Sequence, residues 1–118
     1  MTLKRQTKPM KDQVIVALST APDEASARAL AVALLEERLA TCVNRLPGLQ
    51  SMYFWDGSLQ DELEILLIIK TTAGRLADVE ARLKALHPYE LPEFVALPVM
   101  GGNERYLDWV RMGVEKQS

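Results

Sequence analysis

Hydrophobic residues fall along this chain in two alternating patterns: short runs that are apolar throughout, and longer stretches with a helical repeat. Asp12–Ser19 holds Val14, Ile15, Val16, Ala17 and Leu18, a β-branched run that reads as a strand apolar on both faces. Thr20-Ala21-Pro22-Asp23-Glu24 then has the features of a helix start: a polar cap candidate, an early proline and acids in the first turn. An Ala- and Leu-rich helix without Gly or Pro follows to about Ala40, with Ala27, Leu30, Ala33 and Leu34 on one face. Strand character resumes at Thr41–Asn44, bends at Pro47-Gly48 and returns at Ser51–Trp55. Asp56-Gly57 is a hairpin turn signal. Leu59 to Thr72 reads as one long strand, with Gln60, Glu62 and Glu64 on one face, Leu59, Leu63 and Ile65 on the other, and a continuous apolar run at Ile65–Ile69.

A second helix opens at Thr72 or Gly74. Its stripe is Leu76, Val79, Leu83 and Leu86, and it stops at His87 because Pro88 disfavours helical geometry in the residue before it. Glu93–Val99 is a fourth strand, placed at an edge by Pro98. A terminal helix carries Tyr106, Trp109 and Val110 on one face.

This order, β-α-β-β-α-β plus a C-terminal helix, predicts an α+β ferredoxin-like sandwich with both main helices on one side of an antiparallel sheet. The other side then poses a problem. Val14–Leu18, Ile65–Ile69 and Phe94–Leu97 are apolar on both faces, and the chain has no further helices to cover the second one. The expected cover is another copy of the chain. The long second and third strands would project as a hairpin and offer edges for intermolecular pairing.

Composition refines this picture. At 118 residues and 48% hydrophobic, the chain is one domain rather than a disordered or low-complexity segment. Net charge is −2, while residues 1–11 carry Lys4, Arg5, Lys8 and Lys11 and no acid. The organisation expected is a disordered basic arm at 1–11, a folded domain at 12–112 and a tail at 113–118. The acidic body argues against nucleic acid as a partner. The longest all-apolar run, Ala29–Leu35, is far short of the roughly 20 residues that span a bilayer. With no apolar signal segment at the N-terminus, a cytoplasmic protein is expected.

Candidate chemistry is sparse. Phosphate-binding glycine loops, CxxC pairs, HExxH and GxSxG are all missing from the sequence. The lone His87 and lone Cys42 support no activated nucleophile, so an enzyme is not expected. His87, ending a helix, reads either as a cap on the last helical carbonyls or as a ligand, with Glu90 and Glu93 close by in sequence. Cys42 reads as a packed thiol. Tyr53 and Trp55 flank the hairpin turn, where they either pack or stack on a ligand. Lys70 shares a strand face with Glu62 and Glu64 and reads either as an ion-pairing residue across an interface or as an anion contact in an intersubunit cleft. Trp109 and Tyr106 read as packing the last helix onto a neighbour.

Six blocks in order resemble the CutA divalent-cation tolerance proteins: Leu18–Glu24, Ala40–Asn44 with Pro47-Gly48, Tyr53–Gly57, Glu62 through Thr71, His87–Glu93, and Tyr106–Trp109. The resemblance spans residues 13–110. It implies a homotrimer built by intermolecular strand pairing, similar to PII signalling proteins, and a cytoplasmic role in tolerance of copper and other divalent metals. A copper site of one Cys and two adjacent His is proposed in some relatives; the corresponding positions here are Ser19, Leu86 and His87. Soft copper sites favour thiolate and imidazole, and only His87 keeps its ligand type. Cys42 matches a second family cysteine. The expected function is therefore a trimer that binds a divalent metal such as copper weakly, with His87 as the leading ligand and Glu90, Glu93 and Cys42 behind it. Two alternatives stand beside it. One is a PII-like trimer holding a small anionic ligand between subunits through Trp55, Glu62, Lys70, Tyr89 and Trp109. The other is a purely structural trimer.

Overall fold

A computed structural model describes residues 10–116. The elements run β1 (Val14–Ala21), α1 (Glu24–Glu36), β2 (Cys42–Trp55), β3 (Ser58–Thr72), α2 (Leu76–Leu86), β4 (Val95–Pro98) and α3 (Glu104–Gly113), with a 3-10 turn at Ala73–Arg75 leading into α2. The four strands form one antiparallel sheet in the order β2-β3-β1-β4, the ferredoxin-like arrangement expected.

Period-two alternation assigns the faces. Ile15, Ala17, Ser19 and Ala21 of β1 lie opposite Thr71, Ile69, Leu67 and Ile65 of β3, and all eight are buried. Against this face α1 buries Ala27, Leu30, Ala31 and Leu34, and α2 buries Val79 and Leu83. The second face carries Val16, Leu18, Leu66 and Ile68, with Val95, Leu97 and Leu46 at its margins. These last three stay 47%, 48% and 55% exposed. The terminal helix covers part of this face: α3 buries Val110 completely and brings Tyr106 over Lys70, one of the second-face residues of β3. Among the described residues nothing covers the apolar strip beyond α3.

Several boundaries shift from expectation for local reasons. Thr20 and Ala21 complete β1, and Asp23 caps α1, its carboxylate accepting the Ser26 amide at 2.7 Å. That bond holds the Asp23 carboxyl below its usual range. Helix α1 stops four residues before Ala40 because the chain folds into a Schellman turn. Arg38 takes φ +57°, the Arg38 amide donates to Leu35 O and the Leu39 amide to Leu34 O. Leu39 and Ala40 are then buried as loop residues. At the other end, His87 leaves α2 with ψ 139°, as Pro88 requires. Strand β4 is shorter than Glu93–Val99; Phe94 tucks partly into the core and the Glu93 carbonyl is taken by a side chain rather than a strand partner.

The hairpin has the expected form. Strands β2 and β3 are 14 and 15 residues long, whereas β1 has 8 and pairs with β3 only from Ile65 onward. Residues 49–64 therefore project past the sheet. A bulge lies between Leu46↔Leu66 and Leu49↔Glu64, where Gly48 takes φ +86°. Asp56 and Gly57, both at positive φ, close a two-residue turn of the primed type that matches strand twist.

Helix α3 is pinned by side chains that grip its C-terminal carbonyls. The Thr41 hydroxyl donates to Val110 O and Arg75 Nε to Val114 O at 2.9 Å. Gly113 closes the helix and Val114 is buried, so ordered structure runs into the segment expected to be tail. At the other terminus, the Lys11 carbonyl accepts the Gly74 amide. The rest of the expected basic arm, residues 1–9, lies outside the described residues.

Two substitutions check these local constraints. Arg38→Gly removes the cost of a side chain in the left-handed region and raises stability by about 1 kcal/mol in chemical denaturation. Gly113→Ala sets a Cβ 2.3 Å from Thr41 Oγ1 and breaks the Thr41 grip. It lowers stability by about 1–3 kcal/mol.

Candidate functional site

The polar residues singled out in the sequence gather into two separate clusters. The first sits where the C-terminal end of β1 meets the loop after α2. His87, at the C-cap of α2, is buried. Its Nε2 lies 2.6 Å from the Thr20 carbonyl, and its Nδ1 accepts the Tyr89 amide at 3.1 Å. A carbonyl can only accept, so Nε2 carries the proton and the ring is the neutral Nε2–H tautomer. His87 thus caps no helical carbonyl with its side chain; it reaches across to β1 instead. Ser19, fully buried, donates to the Glu93 carbonyl at 2.7 Å. Tyr89 stacks at a tilt beside His87, ring centroids 4.7 Å apart, and its hydroxyl donates to Glu64 at 2.8 Å. Next along β3, Glu62 accepts the Tyr53 hydroxyl from β2. Period-two spacing on the second face of β3 puts both carboxylates side by side.

Electrostatics follow from this pairing. Glu64 is only 7% exposed. Burial pushes the Tyr89 hydroxyl well above the ordinary tyrosine value, helped by its bond to Glu64 and the nearby Glu64 and Glu62 charges. Tyr53 is raised mainly by donating to Glu62.

The second cluster lies under α3. Lys70 Nζ donates to Asn44 Oδ1 at 2.6 Å and stands 5.9 Å from the Tyr106 ring centroid. Tyr106 and Trp109 form a tilted pair 5.5 Å apart, both partly open to solvent. Cys42, opposite Lys70 on β2, is half-buried with its thiol 3.8 Å from Asn44 Oδ1.

Geometry within one chain keeps the expected ligand sets apart. Cys42 is level with Val16 across the sheet, whereas His87 docks at Thr20, four residues and about 13 Å along β1. Glu90 and Glu93 have exposed side chains. Among the described residues no three His, Cys, Asp or Glu side chains are grouped to hold a metal ion. The anion-cleft set is also divided. Lys70 and Glu62 lie eight residues, about 26 Å, apart on β3, Trp55 stands at the hairpin tip, and Tyr89 belongs to the His87 cluster while Trp109 belongs to the Lys70 cluster. Sequence reading missed the partners that organise both clusters: Ser19 and Thr20 at the end of β1, Glu64 under Tyr89, and Asn44 under Lys70. The alternation of Glu62 and Glu64 facing Tyr53 was the available signal. The bonds to backbone carbonyls left none.

Residues 15–113 match the family model described as CutA1 divalent ion tolerance protein. The chain belongs to this family. The divalent-cation tolerance protein CutA of Thermus thermophilus is 53% identical over 96 residues, which cover 81% of this chain and 93% of that protein. The crystal structure of CutA from Xylella fastidiosa superposes with a TM-score of 0.86 at 43% identity, covering 87% of this chain and 99% of that one. A CutA from Archaeoglobus fulgidus, described as periplasmic, superposes with a TM-score of 0.84 at 35% identity, covering 86% and 99%. Among the described residues of this CutA1 family member, no helix is long and apolar enough to cross a membrane.

The Tyr89–Glu64 bond has a pH signature. Holding the phenol neutral contributes stability that is fully present below the ordinary tyrosine value of about 10, and is lost as pH rises through the raised value in the folded protein. Tyr89→Phe leaves Glu64 without its donor and costs about 1–3 kcal/mol near neutral pH. Denaturation curves recorded at increasing pH show a shallower alkaline loss of stability for this variant than for the parent chain.

Proposed function

We propose that this chain serves tolerance of divalent cations as a non-enzymatic, cytoplasmic homotrimer that holds divalent metal, copper among the candidates, weakly. Membership of the CutA1 family carries the reading. Support for the trimer comes from the uncovered second face, where Leu46, Val95 and Leu97 are about half exposed beside the projecting hairpin. A contiguous apolar strip between two open sheet edges is the surface that strand pairing with further copies buries. Weak binding is what separated donors give. Glu90 and Glu93 offer exposed carboxylates competing with water, and His87 becomes a ligand only by giving up one of its two hydrogen bonds. Sedimentation of the purified chain is expected to give three times the chain mass, and Leu97→Glu to dissociate it; a monomeric parent chain refutes the trimer. Calorimetry on the metal-free protein is expected to show low-affinity uptake of copper, and no uptake of any divalent cation refutes direct binding.

A second reading has its own observation. Lys70 has no acidic partner among the described residues and lies against the Tyr106–Trp109 pair on the second face. A cation beside open aromatic faces is the chemistry that holds a small planar anion between subunits.

A further inference from the structure

At Ser19, Leu86 and His87 this chain builds hydrogen bonds and packing in place of a soft ligand set. Ser19 supplies a hydroxyl in place of a soft thiolate, and that hydroxyl is fully buried and already committed to the Glu93 carbonyl. Leu86 lines the groove between α1 and α2 with Ala29, Ala33 and Pro88, on the helix side of the molecule. His87 has no free nitrogen: Nε2–H is held by Thr20 O, and the Nδ1 lone pair by the Tyr89 amide. Placing a metal on Nε2 would remove the proton and orphan a buried carbonyl. Placing it on Nδ1 would orphan the Tyr89 amide and loosen the loop that sets Tyr89 on Glu64.

We infer that Ser19 and His87 form a hydrogen-bonded staple fastening the 87–93 loop to the end of β1, and that the staple takes no copper. The inference refines the metal-tolerance reading by moving the site of metal contact elsewhere on the protein. The staple has three stitches: Ser19 to Glu93, His87 to Thr20, and Tyr89 to His87. They span the segment between α2 and β4, so they also set where edge strand β4 meets β1.

The test uses the full chain, stripped of metal, and Cu(I), which is diamagnetic. His87 is the single histidine, so its ring resonances are unambiguous. With one equivalent of Cu(I) per chain, the His87 Nε2–H proton signal is expected to persist unshifted. Its loss in proportion to added copper overturns the inference. Tight copper uptake with unmoved His87 signals supports the inference and leaves metal binding intact, with the metal held elsewhere. If no Cu(I) is taken up at all, the staple stands, and direct binding of divalent metal is decided separately by the calorimetry.

Discussion

A four-stranded sheet has two faces, and a chain of this length has helices enough for one and a fraction of the other. That constraint governs the rest of the molecule. Helices α1 and α2 fill the face formed by Ile15, Ala17, Ser19 and Ala21 with their β3 partners. The short α3 can seal only the end around Val110, where Thr41 and Arg75 hold its carbonyls in place. What remains is an apolar strip bordered by a long open edge at β2 and a short one at β4. Burying such surface yields roughly 25 cal/mol per Å², so leaving it in water is a standing cost to the isolated chain.

Polar chemistry in this fold is arranged around that strip. Glu62, Glu64 and Lys70 all project from the second face of β3, and the residues that satisfy them come from three other elements: Tyr53 and Asn44 from β2, Tyr89 from the loop, and Tyr106 from α3. Each polar group at the margin is therefore already spoken for by its own chain, with the exception of the open sides of the aromatic rings and the exposed carboxylates. A buried carboxylate with a tyrosine donor is rigid because releasing either group would leave it unsatisfied. The His87 staple follows the same logic on backbone partners.

Much of the fold was legible because its signals are local and periodic. The order of elements, the long hairpin, the Pro47-Gly48 bulge and the Asp56-Gly57 turn all depend on residues adjacent in sequence. The end of α1 was not legible, because a Schellman turn ordinarily announces itself with glycine and here uses Arg38. The candidate site was legible only as a set of residue types. Its geometry depends on contacts across 67 and 74 residues, His87 to Thr20 and Ser19 to Glu93, both made to carbonyls that every residue carries. No pattern of side chains foretells which carbonyl a histidine will choose.

The bulge at Pro47-Gly48 acts as a parity switch. Before it, Leu46 stands opposite Leu66; after it, Leu49 stands opposite Glu64, so three steps on β2 match two on β3. This single extra residue puts Ser51, Tyr53 and Trp55 on the same face as Glu62 and sends Met52 and Phe54 to the reverse side of the ribbon. Strand β3 runs straight through this point, so its own residues keep their faces and only the β2 half of the ribbon is re-aimed. The extra residue absorbs the one-step mismatch between the register fixed at the Asp56-Gly57 turn and the register fixed in the core sheet, so the two ends of the hairpin are set independently.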